Sequence, residues 1–217
     1  MGSVCFIVDA MVTGAMLPRH LKSIRESGVA DHLLPILVTG TQPNARLTSI
    51  EQRYHTHCLI TPASPLGARI NRAAFTSQAE WLIIALQKQP MPASLWSSFY
   101  PQLNTYTLDA LIIDLAQPTL SERIRQRLLA SALLLPPYIA VRRAWFERLG
   151  GFDPDLDGIH ALNDFLQRLH SCSTRMKTYS SQLLKKSCEP STNSSNAANL
   201  DSDEQLNPPQ AASTPRM

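Results

Sequence analysis

The amino-acid sequence predicts an α/β domain with a mostly parallel central sheet flanked by helices. The chain has 217 residues, of which 44% are hydrophobic, and this suits one compact domain with a substantial core. Short apolar runs alternate along its first half with segments in which apolar residues recur at helical spacing. Such alternation of strands and helices is typical of a parallel sheet that helices cover.

The first half contains four predicted strands, at residues 4–8, 33–38, 57–60 and 81–86. Helical periodicity predicts the helices between them, which begin near Leu17, Arg46 and Ala68. Ligands of such sheets bind outside the carboxyl ends of the strands. We therefore expect the rim of any site in the segments 9–12, 39–42 and 86–90.

The second half is less regular and ends in a segment of different composition. Strands are predicted at 110–115 and 138–141, and helices at 121–134 and 162–169. From about Lys185, Ser, Asn, Pro, Gln and Ala dominate, and a segment of this composition buries too little apolar surface to become ordered. The expected organisation is one domain, residues 1–184, followed by a disordered tail, residues 185–217.

Charge, cysteine content and hydropathy exclude several classes of protein. The net charge is +3, and Lys and Arg are scattered along the chain, which argues against a nucleic-acid partner. None of the four cysteines forms a C-x-x-C pair, as expected of reduced thiols in a cytoplasmic protein. The longest apolar run, residues 128–141, is interrupted by Pro136-Pro137 and is shorter than the roughly 20 residues of a spanning helix, so we expect no transmembrane segment.

The most informative stretch is 141–153, Val-Arg-Arg-Ala-Trp-Phe-Glu-Arg-Leu-Gly-Gly-Phe-Asp. It resembles the V-R-R-x-x-F-x-x-L-G-G-F-D segment of family-two nucleotide-sugar glycosyltransferases. The segment 67–73 resembles that family's G-x-A-x-A-R-N-x-G helix start, and 78–86 resembles the strand that leads to its metal motif. The resemblance covers residues 4–170. It implies a GT-A type fold, a nucleotide or nucleotide-sugar ligand that binds weakly, and a glycan acceptor.

The resemblance also implies a set of site residues. Those expected to bind the nucleotide-sugar are Asp9, Thr39, Gly40, Arg69, Asn71 and Lys88. Arg69 is the expected contact to a base or phosphate, because its planar fork bonds such groups through two donors. Those expected on the acceptor side are Gly150, Gly151, Phe152 and Asp153. We predict a positive φ for at least one glycine of that pair, since the chain turns sharply there.

The acids of the family's chemistry are mostly missing. Leu86-Gln87-Lys88 stands where the family has its metal-binding D-x-D, and Ala161-Leu162-Asn163-Asp164 stands where it has E-D-x-D. Asp164 alone remains, as a weak catalytic candidate and the expected cap of the following helix. These losses predict a glycosyltransferase-like protein with impaired catalysis that uses neither a cofactor nor a divalent Mn²⁺ or Mg²⁺ ion. The alternative is a non-catalytic partner or regulatory subunit of a polysaccharide or glycan biosynthesis system.

Three further patterns have competing interpretations. Residues 153–158 match the first half of a calcium loop, but Pro154 and the lack of Glu at position twelve argue against that function. His55-x-His57 lacks the third ligand of a catalytic zinc site and is expected to be exposed. Trp96 is predicted to lie in a loop, either as a packing residue or stacked on a ligand.

Overall fold

The computed structural model describes residues 3–27, 34–104, 107–114, 135–172 and 175–180. Within these residues a single sheet of seven strands lies between two layers of helices. The strands are β1 (Val4–Asp9), β2 (Ile36–Gly40), β3 (His57–Ile60), β4 (Trp81–Ala85), β5 (Ala110–Asp114), β6 (Tyr138–Arg142) and β7 (Met176–Ser180). This confirms the predicted α/β class.

The helices connect these strands and flank the sheet. They are α1 (Ala10–Thr13), α2 (Leu17–Arg25), α3 (Ala45–Tyr54), α4 (Leu66–Thr76), α5 (Ala93–Leu103), α6 (Arg143–Arg148) and α7 (Gly158–Ser171). A short 3₁₀ turn, Gly14–Met16, joins α1 to α2. In the described part of the chain no helix is both long and apolar enough to cross a membrane.

The strand order is β3-β2-β1-β4-β6-β5-β7, and only β6 among these strands runs against the rest. The carboxyl ends of β1, β2, β3 and β4 therefore lie at one edge of the sheet. β1 is central and buried along its whole length. Because side chains alternate along a strand, Phe6 and Val8 pack beneath α2, α3 and α5, whereas Cys5 and Ile7 pack beneath α4, α6 and α7.

Most predicted elements are present, with ends displaced by a few residues. The second strand is predicted to begin at Leu33 but begins at Ile36, and the last helix is predicted to begin at Leu162 but begins at Gly158. The prediction lacks α1, α5 and β7. Trp96 lies on α5 and is buried, so its placement in a loop is wrong, whereas its interpretation as a packing residue is confirmed. The helix predicted at 121–134 and the tail from 185 fall outside the described residues.

Candidate functional site

A buried carboxylate ends β1 and organises this edge of the sheet. Asp9 has no exposed surface, and its Oδ1 accepts hydrogen bonds from the backbone N–H groups of Met11 at 2.9 Å and Val12 at 3.0 Å. It is therefore the N-cap of α1. The hydroxyl of Thr39, near the end of β2, donates to Asp9 Oδ2 at 2.7 Å. Two neighbouring strands are thus joined through one side chain.

Arg69 completes this buried network from α4. Its Nε donates to Asp9 Oδ2 at 2.7 Å, its Nη2 donates to Oδ1 at 3.2 Å, and its Nη1 donates to the Ser64 carbonyl at 2.5 Å. The structure thus brings together three of the predicted site residues. Because its guanidinium already bonds Asp9 and Ser64, Arg69 fixes the wall of the site in this structure. Its predicted contact to a base or phosphate stays a prediction.

Two adjoining cavities open above this network. The first, of about 430 Å³, is lined by Ala10, Met11, Gly14, Ala15, Leu17, Gly40, Thr41, Gln42, Asn44, Arg46 and Leu47. The second, of about 550 Å³, is lined by Met11, Val12, Thr41, Ala63, Ser64, Pro65, Leu66, Arg69, Asp157 and Gly158. Met11 and Thr41 line both, so the two cavities form one cleft at the carboxyl ends of β1 and β2, which we call the twin cleft.

The first cavity combines an apolar floor with uncharged polar groups. A Cβ on Gly40 would meet Leu47 and Ile60 only at ordinary contact distances of 3.4 and 3.6 Å. Packing therefore does not require a glycine there. The Asn44 side chain is partly committed, because its Oδ1 caps α3 by accepting from the Leu47 N–H at 2.8 Å. Arg46 supplies an exposed positive charge at the rim.

The predicted acceptor-side turn is held by Asn71. Its Nδ2 donates to the Phe152 carbonyl at 2.7 Å, and its Oδ1 accepts from the Phe152 N–H at 2.9 Å. Both glycines of the turn have positive φ, 79° at Gly150 and 69° at Gly151, which confirms the prediction. A Cβ on Gly151 would lie 2.5 Å from Asn71 Oδ1. Asn71 thus fixes the turn from α4, and both polar atoms of its amide are hydrogen-bonded within the protein.

The beginning of α4 packs closely against the segment that follows this turn. Gly67 donates its N–H to the Leu156 carbonyl at 3.2 Å, and a Cβ on Gly67 would lie 1.9 Å from the Asp153 carbonyl oxygen. Asp157 Oδ1 accepts from the backbone N–H groups of Leu66 at 2.9 Å and Gly158 at 2.8 Å. These two bonds lower the pKa of Asp157. One carboxylate therefore caps two helices and joins the cleft wall to the segment that follows the Gly150–Gly151 turn.

The end of β4 is held by a neutral network that the sequence did not reveal. His20 Nε2 lies 3.0 Å from the Lys88 carbonyl, its Nδ1 lies 2.6 Å from the Tyr138 hydroxyl, and that hydroxyl accepts the Met91 N–H at 2.8 Å. A carbonyl can only accept, so Nε2 carries the proton and Nδ1 accepts from Tyr138. Burial lowers the pKa of His20. The Lys88 side chain itself is exposed.

Asp164 lies in the middle of α7 rather than at its start. Its Oδ2 accepts from Nε and Nη2 of Arg168, at 3.0 and 2.5 Å, and Arg168 Nη1 donates to the Leu149 carbonyl at 2.6 Å. The expectation that Asp164 caps this helix is wrong, because Asp157 is the N-cap. Leu162 is buried in the apolar layer beneath α7.

The acids of the calcium-loop pattern at 153–158 do not form a set of calcium ligands. Asp153 Oδ1 accepts the Asp155 N–H at 2.9 Å, and Asp157 is committed to two helix N-termini. Across the described ranges no three His, Cys, Asp or Glu side chains are grouped so that they could hold a metal ion. His55 and His57 are both exposed, as expected.

Solved glycosyltransferases share this fold at low sequence identity. They include a mannosyltransferase from Pyrobaculum calidifontis (17% identity, TM-score 0.63, 83% of this chain and 55% of that one), TarS residues 1–349 from S. aureus (14%, 0.64, 82% and 58%) and glucosyl-3-phosphoglycerate synthase from Mycobacterium tuberculosis (14%, 0.58, 82% and 70%). No protein-family profile and no curated protein matches the sequence. The chain therefore has the GT-A type fold, and it spans little more than half the length of the first two proteins.

The expectation that this protein uses no divalent Mn²⁺ or Mg²⁺ ion is contradicted by solved proteins of the same fold. The mannosyltransferase structure contains GDP-Man and Mn²⁺, and the glucosyl-3-phosphoglycerate synthase has been solved with UDP and either Mn²⁺ or Mg²⁺. The lack of carboxylates at Leu86-Gln87-Lys88 therefore does not decide whether a protein of this fold uses a metal.

Proposed function

We propose that this chain binds a nucleotide or nucleotide-sugar in the twin cleft and is a glycosyltransferase-like protein with impaired transfer. The observation that carries the proposal is the position of the cleft, at the carboxyl ends of β1 and β2, where open α/β sheets bind their ligands. Each cavity falls within the roughly 300–1,000 Å³ of small-molecule sites. The solved proteins of this fold include complexes with GDP-Man and with UDP.

The charges of the cleft favour weak binding. The buried Arg69 is neutralised by Asp9, so it offers little attraction to a diphosphate. The positive side chains that remain available near this edge, Arg46 and Lys88, are exposed. Exposed charges are screened by solvent and contribute little to affinity. Apolar contact with Met11 and the hydrogen bonds of Gln42 and Thr41 are then the principal attractions for a nucleotide in the first cavity.

Impaired transfer follows from the residues on α7. Leu162, which occupies the position of the family's catalytic base, is buried and cannot accept a proton from an acceptor hydroxyl. Asp164 is bonded to Arg168 through two donors. Loss of a general base typically lowers the rate by about 10²–10⁴-fold. At these two positions of α7, an acceptor hydroxyl would therefore meet an apolar side chain and a carboxylate that is already paired with Arg168.

The three residues after β4, Leu86-Gln87-Lys88, offer no carboxylate. Leu86 is buried and apolar, the Gln87 amide donates to the Leu135 carbonyl, and Lys88 is itself a cation. Mg²⁺ and Mn²⁺ prefer oxygen ligands, commonly carboxylates. No step of the proposal passes through a metal, and the assay below includes Mn²⁺ because other proteins of this fold bind it.

Calorimetric titration with a panel of nucleoside diphosphates and nucleotide-sugars tests the proposal. Each ligand is titrated with Mn²⁺ and with EDTA. Ala15→Trp fills the first cavity from its exposed wall, whereas Ala144→Trp, on the exposed face of α6, lines neither cavity and is the matched control. We expect measurable binding to the wild type and the control, and loss of binding in Ala15→Trp. Equal affinity in the two variants would place the ligand elsewhere, and no binding to the wild type would refute the function.

A second candidate function is a non-catalytic partner or regulatory subunit of a polysaccharide or glycan biosynthesis system. It is favoured by the contrast between the intact buried networks of Asp9 and His20 and the missing acids at 86–88 and 162. Sugar transfer measured with the same ligands separates the two candidates. Binding without turnover supports the partner, whereas turnover supports an enzyme of reduced rate.

A further inference from the structure

We propose that Asp157 is the ligand-contacting carboxylate of the second cavity, where its Oδ2 accepts hydrogen bonds from the hydroxyl groups of a sugar ring. This inference rests on the proposed function and names the group that recognises part of the ligand. The ring is either the ribose of a nucleotide or the sugar that a nucleotide carries. Both present hydroxyl donors, which a carboxylate binds through short charge-assisted hydrogen bonds.

The first argument is the commitment of the other acids near the cleft. Of the described residues that line the two cavities, Asp157 is the one acid. Asp9 lies beneath the cleft, and both of its oxygens accept bonds from buried or backbone donors. Asp153 bonds the Asp155 N–H, and Asp164 bonds Arg168. A hydroxyl in the second cavity therefore meets one carboxylate.

The second argument is the geometry of Asp157 itself. Oδ1 is held by the N–H groups of Leu66 and Gly158, which belong to the beginnings of α4 and α7. No described residue donates a hydrogen bond to Oδ2, and the side chain is exposed to the cavity. The carboxylate is thus oriented before a ligand arrives, which reduces the entropy lost on binding. Its N–H partners also favour the ionised form, so a charged acceptor is present at neutral pH.

Substitutions at Asp157 can separate the proposed ligand contact of Oδ2 from the helix-capping role of Oδ1. Asn and Ser are N-caps comparable to Asp, so Asp157→Asn and Asp157→Ser retain one capping oxygen while they replace or remove Oδ2. We expect both variants to keep a melting temperature near that of the wild type and to bind the nucleotide-sugar about tenfold more weakly, as a hydrogen bond to a charged group predicts. Asp155→Asn, an exposed acid outside both cavities, is the control and should bind as the wild type does.

Ligand variants on the unchanged protein provide a second measurement that does not depend on folding of a mutant. If the ring is the ribose, the wild type should bind a 2′-deoxy or 3′-deoxy nucleoside diphosphate about tenfold more weakly than the parent nucleotide. Asp157→Asn should bind the deoxy and parent nucleotides with equal affinity, because the carboxylate that distinguishes them is gone. If the ring is the sugar that the nucleotide carries, Asp157→Asn should weaken binding of the nucleotide-sugar and leave binding of the nucleoside diphosphate unchanged. Equal affinities throughout, with clear binding to the wild type, would overturn the role of Asp157 and leave the proposed function standing. Absence of any binding to the wild type overturns both.

Discussion

The carboxyl ends of β1 and β4 lie side by side in the sheet and are stabilised by opposite means. At the end of β1, a buried ion pair between Asp9 and Arg69 joins α1, β2 and α4. At the end of β4, an uncharged chain from Met91 through Tyr138 and His20 to Lys88 joins the following loop to α2 and β6. Both networks are buried.

The contrast shows two ways in which a protein can order the loops around a cleft. A buried ion pair loses the hydration of two charges, so it is stable only while both partners and their hydrogen bonds are present. A neutral network avoids that cost, but it requires one protonation state of the histidine. The two strand ends should therefore respond differently to substitution and to pH.

The largest effect should come from breaking the ion pair. Arg69→Met leaves the Asp9 carboxylate charged, buried and short of two donors. Removal of one partner from such a pair typically costs about 3–5 kcal/mol of unfolding free energy. Chemical denaturation of the purified variant measures this loss.

The double variant Asp9→Asn with Arg69→Met is the control for that interpretation. Asn still caps α1 through its side-chain oxygen but carries no charge, so the double variant should be more stable than Arg69→Met alone. A double variant as unstable as the sum of the two single variants would show that the pair contributes through packing rather than through charge.

This pair also shows how far the sequence could predict the site. The strand ends that carry Asp9, Thr39 and Gly40 were predicted because hydrophobic periodicity is a local property of the sequence. The pairing of Asp9 with Arg69, which are 60 residues apart in the chain, is not local and leaves no pattern in the sequence. The resemblance placed both residues at a nucleotide site but could not show that each neutralises the other.

The turn at Gly150 and Gly151 offers the second test. Both have positive φ, which costs a residue with a Cβ roughly 1–2 kcal/mol. A Cβ on Gly150 meets nothing within 4 Å, whereas one on Gly151 lies 2.5 Å from Asn71 Oδ1. Overpacking adds about 1–3 kcal/mol, so Gly151→Ala should be clearly less stable than Gly150→Ala in thermal unfolding. Equal losses of stability in the two variants would mean that the Asn71 side chain moves away from the new methyl group at no energetic cost.

The neutral network at the end of β4 makes stability depend on pH. Burial lowers the pKa of His20 in the folded state, so below about pH 6.5 the unfolded chain takes up a proton that the folded chain resists. The free energy of unfolding should therefore be highest above that pH and fall as the solution becomes more acidic. His20→Gln keeps a donor and an acceptor in the ring's place and should flatten this dependence.

The exposed His160 supplies the matched control for this titration. His160→Gln, on the surface of α7, should leave the pH profile of unfolding unchanged. An unaltered profile in His20→Gln would show that other groups carry the acid sensitivity. Urea denaturation between pH 5 and 8 measures all three proteins.

The elements that the sequence failed to predict have physical causes too. Pro92 is the N-cap of α5 and Pro101 lies within it, and proline inside a segment is more typical of a loop than of a helix. Tertiary packing prevails there, because the Trp96 ring contacts Phe6 with centroids 5.1 Å apart and is buried. His20 recurs three residues after Leu17 on the apolar face of α2, which indicates burial, but its partner Tyr138 lies 118 residues further along the chain.

The smallest effect should come from Asp164, the acid that the resemblance left as a catalytic candidate. Its contact with Arg168 is a partly exposed pair four residues apart on one helix, and such pairs contribute about 0.3–0.5 kcal/mol. Asp164→Asn should therefore change the free energy of unfolding by less than 1 kcal/mol. It should also leave nucleotide affinity unchanged, since Asp164 lines neither cavity. If this substitution instead abolished a measurable sugar transfer while stability and affinity stayed constant, Asp164 would be acting on a substrate, and it would compensate for the loss of the base at Leu162, two residues earlier on α7.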